Sequence, residues 1–184
     1  MESNPLDREG KLCAQHVVGI FLYHTWAVGV TILHALNLIA ANNSRPTERT
    51  TKQVEQLLGY MHTNPTAALH YYTSDMILIV HSNASYLSVG CRRSRVEDHF
   101  FLGSLPRKRT PIKLNGNIAI TCAILKRVAA SAAEAELDAL FLNVQKVRIL
   151  WLTLYEIGHP EPQTPVHVDN TKCVGIVNNT IKRQ

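Results

Sequence analysis

The stretch Met76-Ile-Leu-Ile-Val-His-Ser-Asn-Ala-Ser-Tyr86 decides how the chain is read. Its continuous apolar run, Met76 to Val80, is the pattern of a central strand covered on both faces, and the polar residues after Ser82 put the strand's end at Asn83. Working outward, β-type runs are expected at Leu69 to Tyr72, His99 to Leu105 and Ile118 to Leu125, separated by Asp, Asn, Gly and Pro clusters. Ser131-Ala-Ala-Glu134 then has the form of a capping box. It opens a helix whose buried face is predicted at Leu137, Leu140, Phe141 and Val144, continued by Val147, Leu150, Trp151 and Leu154 until Gly158 and Pro160. A strand at Val166 to Asp169 and a last helical segment follow. The expectation is an α/β domain over residues 68–184, a mixed sheet flanked by helices.

Residues 1–67 read differently. Leu12 to Tyr23 and Val28 to Ala40 are apolar runs of helical length, broken around Thr25 to Gly29. A third helix is predicted from Thr47, with Val54, Leu57, Leu58 and Met61 on its apolar side and Asn64-Pro65 as its stop. No Asp, Glu, Lys or Arg occurs between Lys11 and Arg45, long enough to span a bilayer, yet His16, His24, His34 and Asn37 interrupt it. Two buried helices are preferred to a membrane span.

The 184 residues are 46% apolar and 18% charged, enough for one sizeable core with an appendage. The net charge of +5 excludes an acidic disordered tail. That charge is concentrated: between Cys91 and Arg127 nine basic residues face only Glu97 and Asp98, a net +7, leaving −2 elsewhere. Arg92, Arg93, Arg95, Arg107, Lys108, Arg109 and Lys113 are therefore candidates for contacting phosphates, the alternative being a solvated hairpin. Four scattered cysteines show no C-x-x-C pair and nine histidines no H-x-x-x-H spacing, which argues against a zinc knuckle or disulfide framework. A reducing, intracellular compartment is expected.

Three polar points close apolar runs: Asn83, Glu136 in Ala135-Glu-Leu-Asp-Ala-Leu140, and Asp169 in Val166-His-Val-Asp-Asn170. Singly, each has a structural explanation as a turn residue or a solvated helix flank. In order, they resemble the ribonuclease H domain of copia-type retrotransposon polyproteins. Ser131-Ala-Ala-Glu-Ala-Glu-Leu-Asp-Ala-Leu140 is like that family's S-S-T-E-A-E-Y-x-A-L, and Val168-Asp-Asn170 is like its C-D-N. Ala84-Ser85 resembles its D-A-S or D-A-D segment. Val17-Val-Gly-Ile-Phe-Leu-Tyr23 resembles V-G-x-L-x-Y near the end of the reverse transcriptase region, so the likeness covers nearly the whole chain.

The resemblance implies a ribonuclease H-like fold and cleavage of the RNA strand of an RNA–DNA hybrid by two Mg2+ or Mn2+ ions held on carboxylates. Such ions need several anionic oxygens to hold their like charges together. Glu136 and Asp169 would be metal ligands, and Asn83 stands where the family has its first Asp. Glu134 is better explained as the capping-box acid. Asn83 offers one neutral carbonyl and an NH2 that turns positive charge toward the metal, which predicts impaired catalysis. The family's fourth carboxylate falls beyond the segment matched by Asp169 to Asn179, so the resemblance also implies a C-terminal truncation. Implied partners are an RNA–DNA hybrid or other nucleic acid and the remainder of a polymerase polyprotein, in the cytoplasm and in virus-like particles. A non-enzymatic nucleic-acid binding module and an inactive retroelement relic are the alternatives.

Overall fold

The computed structural model describes residues 3–27, 29–66, 68–106 and 110–180, in two compact units, Met1–Leu69 and His70–Gln184. The first unit is helical. Helix α1 (Arg8–Ala27) begins four residues before the expected Leu12 because Asp7 caps it, its Oδ1 accepting the Gly10 N–H at 2.8 Å. A 3₁₀ turn at Val30–Ile32 leads into α2 (Leu33–Ala40), and α3 (Glu48–Thr63) starts directly after Thr47. Ala14 and Val18 of α1, one helical turn apart, meet Leu36 and Ile39 of α2 and Val54 and Leu57 of α3 in one core. Among the described residues, no helix is long and apolar enough to cross a membrane.

The second unit is α/β. Strands β1 (Ile77–Val89), β2 (Arg93–Gly103) and β3 (Asn117–Ile124) form an antiparallel meander, and β4 (Val166–Val168) joins β1 in parallel. The order β3-β2-β1-β4 makes the sheet mixed and puts β1 inside it, where Leu78, Ile79 and Val80 are fully buried. Between β3 and β4 runs the 25-residue α4 (Ala132–Glu156), and α5 (Thr171–Val177) closes the described chain.

Three expectations are corrected. Leu69 to Tyr72 is not a strand: the Asn115 side chain takes the Tyr72 N–H at 2.7 Å and donates to the Tyr72 carbonyl at 2.9 Å, standing in for a neighbouring strand. β1 does not end at Asn83. It runs six residues further, because the polar Asn83 to Ser85 pair with Arg95 to Glu97 in a hairpin turned at Gly90–Arg92, where Cys91 and Arg92 have φ of 59° and 56°. The third correction concerns α4. Phe141 and Val144 are 65% and 54% exposed, and the face on the sheet is Ala135, Ala139, Asn143, Val147, Leu150 and Leu154. α4 is apolar on two sides, and the side carrying the small alanines is the one that approaches a sheet closely.

On that sheet face the side chains form three rows. Ala84 and Val96 pack with Leu125, Ala129, Ala135 and Ala139; Leu78, Val80 and Phe100 pack with Leu154. Between the two apolar clusters lies a polar row, in which Ser82, Asp98 and Thr121 are register partners across β1, β2 and β3.

Candidate functional site

The parallel pairing of β4 with β1 covers only three residues, Val80 to Ser82. The Val80 N–H donates to Pro165 O at 3.1 Å, so by alternation the N–H groups of Leu78 and Ala84 also point toward β4, beyond its two ends. Neither is left open. Glu161 Oε2 accepts the Leu78 N–H at 2.9 Å, and Glu136 Oε1 accepts the Ala84 N–H at 2.9 Å. A carboxylate thus completes the ladder at each end of a strand too short to do so.

At the Ala84 end the surroundings are acidic. Glu136 is 3% exposed, its second oxygen is buried without a hydrogen-bond partner, and Asp169 follows the last residue of β4. Burial raises the Glu136 pKa, the Ala84 N–H opposes that, and the charges of Asp169 and Asp98 raise it further. Burial, together with the charge of Glu136, also raises the pKa of the Cys173 thiol. Asn170 fixes this end of the chain: its Oδ1 accepts the Lys172 and Cys173 N–H groups at 3.0 Å and caps α5.

Asn83 sits mid-strand and exposed, paired with Glu97, on the sheet face opposite Ser82 and Ala84. The structure therefore brings Glu136 and Asp169 into one electrostatic environment but corrects Asn83, whose side chain strand alternation turns to the other face of the sheet, away from both. Glu134, two residues from Glu136, lies outside it. The Ser131 Oγ accepts the Glu134 N–H at 3.1 Å, and the Glu134 carboxylate accepts the Ala130 N–H at 2.6 Å and pairs with Arg127 at 2.5 Å.

Asp98 is the acid that sequence reasoning missed. It is 5% exposed in the polar row, with Oδ1 accepting from Asn143 Nδ2 at 2.8 Å. Burial pushes its pKa up to about 6, against hydrogen bonds from Asn143 and Thr121 and the nearby Lys146 charge. Asp98, Glu136 and Asp169 do not bring one oxygen each within 4.8 Å of one another. The sequence signal for it is Asn143, a polar residue at helical spacing between Ala139 and Val147; Asp98 by itself reads only as charge.

The basic window divides. Arg92 and Arg93 are exposed at the hairpin turn, and the Lys113 ammonium lies 4.0 Å from the centre of the exposed Tyr72 ring. Arg95 is corrected: it is 1% exposed and donates to Cys122 Sγ of β3 at 3.5 Å, on the sheet face opposite α4. A buried guanidinium does not contact phosphate. Arg107, Lys108 and Arg109 lie outside the described residues.

Comparison with protein-family models, with curated proteins and with solved structures finds no match for this chain.

Proposed function

We propose that the second unit is a ribonuclease H-like module of retroelement origin that binds nucleic acid, an RNA–DNA hybrid foremost, with its hydrolytic centre impaired. The observation that carries this reading is the meeting of Glu136 and Asp169 where parallel β4 leaves β1, one residue from Asn83. The order of elements supports it: an antiparallel meander, a long helix, then a strand parallel to the first is compatible with a ribonuclease H-like fold. Residues 1–67 would correspond to the end of the reverse transcriptase region.

The donor set suits one divalent ion held weakly rather than two. The unpartnered buried oxygen of Glu136 and the exposed Asp169 carboxylate would hold Mg2+ or Mn2+, hard cations that take oxygen ligands. A bound ion would polarise a phosphoryl oxygen. With the side chain of position 83 on the other face of the sheet, the anionic oxygens that two neighbouring ions require are too few. The Glu136 to Ala84 hydrogen bond holds the carboxylate at the strand, while Arg92, Arg93 and Lys113 supply the charge that draws a phosphate backbone to the unit.

The test is cleavage of a labelled RNA–DNA hybrid in Mg2+ or Mn2+ by the parent chain and by Asn83→Asp. The expected result is salt-sensitive hybrid binding with weak or no cleavage by the parent, and no gain in Asn83→Asp, because position 83 faces away from Glu136 and Asp169. Hybrid binding that does not weaken as salt rises would contradict the phosphate-binding half of the reading. Vigorous cleavage by the parent would refute the impairment.

A further inference from the structure

The sheet face opposite α4 carries a feature that the nuclease reading does not use. His99 of β2, His81 of β1 and His167 of β4 are direct register partners, so three imidazoles stand in one row across three adjacent strands. The His81 and His167 ring centres are 5.1 Å apart. Phe101 packs beside both His81 and His99, at 5.5 and 5.1 Å. His81 Nε2 is buried without a hydrogen-bond partner, an arrangement that costs stability unless something completes it. His99 Nε2 is 3.1 Å from Asn115 O, and as a donor to that carbonyl it leaves Nδ1 as the lone-pair nitrogen. A ring N–H held by a backbone carbonyl is the usual support of a metal-ligating histidine.

We propose that His81 and His167, with His99 as the third ligand, form a site for a transition-metal cation of borderline softness, Zn2+ being the representative. Imidazole nitrogens suit Zn2+, Ni2+ and Cu2+, whereas Mg2+ and Ca2+ take oxygen ligands, so this site and the carboxylates at Ala84 select different ions. As placed, the three rings do not bring one nitrogen each within 4.8 Å of one another. Adjacent strands are about 4.8 Å apart and Zn–N bonds about 2.0–2.1 Å, so binding requires the His81 and His167 rings to turn toward His99, which its hydrogen bond to Asn115 O holds in place. A bound ion would tie the three-residue β4 to β1 and β2, and steady the strand that presents Asp169.

The experiment titrates the metal-free full chain with Zn2+ alone, by calorimetry and by thermal unfolding. One Zn2+ per chain and a raised Tm are expected. His167→Ala should weaken binding about tenfold or more, the scale on which a metal site answers to loss of a supporting group, and abolish the Tm rise. His167 is exposed, so this variant keeps the fold. His81→Ala should weaken binding likewise; if it fails to fold, His167→Ala decides. His62→Ala on α3 should bind within about twofold of the parent. No saturable Zn2+ uptake, or His167→Ala binding as tightly as the parent, would overturn the proposal, and neither result bears on hybrid cleavage.

Discussion

The two ends of β4 solve the same backbone problem with different surroundings. At the Leu78 end, Glu161 has His159 Nε2 at 3.2 Å from its Oε1, and that imidazole also reaches Met76 O at 3.1 Å. At the Ala84 end, Glu136 has Asp169 and Asp98 within electrostatic reach; each carboxylate leaves its second oxygen buried without a hydrogen bond, so the ends differ in the charges around them. One carboxylate is supported by a group that becomes its counter-charge on protonation; the other is crowded by like charges. The first arrangement suits stability. The second is tolerated at a cost, as sites prepared for a ligand are.

The largest effect separating the two ends should come from Asp98. Its pKa is raised from 3.8 to about 6, so its favourable contribution is complete below pH 3.8 and is lost as pH rises through about 6. The difference in unfolding free energy between the parent and Asp98→Asn should therefore change by roughly 2–3 kcal/mol between pH 7 and pH 4. Asparagine should be the more stable form at pH 7. Urea denaturation at both pH values measures this, and a pH-independent difference would contradict it.

Next in size is the supported end. Glu161→Ala leaves the Leu78 N–H, in a fully buried residue, without its acceptor and should cost about 2 kcal/mol in urea denaturation at pH 7. Glu136→Gln keeps an acceptor for the Ala84 N–H while removing the crowded charge. It should raise stability by about 1 kcal/mol, as relief of strain at a functional site commonly does. Equal losses in the two variants would erase the distinction between the ends. The smallest effects lie on the surface: Arg92→Ala and Arg93→Ala should each lower the salt slope of hybrid binding by about 0.9, with stability changed by less than about 0.5 kcal/mol. Arg95→Ala should leave that slope unchanged.

The sequence made the element order, the Ser131 cap and the covered strand at Leu78 to Val80 legible, because each rests on a local signal. It did not show which side of α4 faces the sheet, since both sides are apolar and periodicity is blind to the choice. It could not show that Asn83 to Val89 continue as strand, because a polar run reads as a turn until a partner such as Arg95 to Glu97 is placed beside it. A motif singles out Glu136 and Asp169, whereas Asp98 and the histidine row arise from register, which joins residues far apart in the chain. Arg95 was misjudged for the same reason: charge is visible in a sequence, and the face of a strand is not.

The most direct test of the account is a titration of the chain with Mn2+ while its backbone amide signals are followed by NMR. Paramagnetic broadening should come first at Ala84, Glu136 and Asp169, and leave Leu78 and Glu161 sharp. Broadening at the Glu161 end, or equally at both ends, would contradict the assignment of the Ala84 end as the cation site.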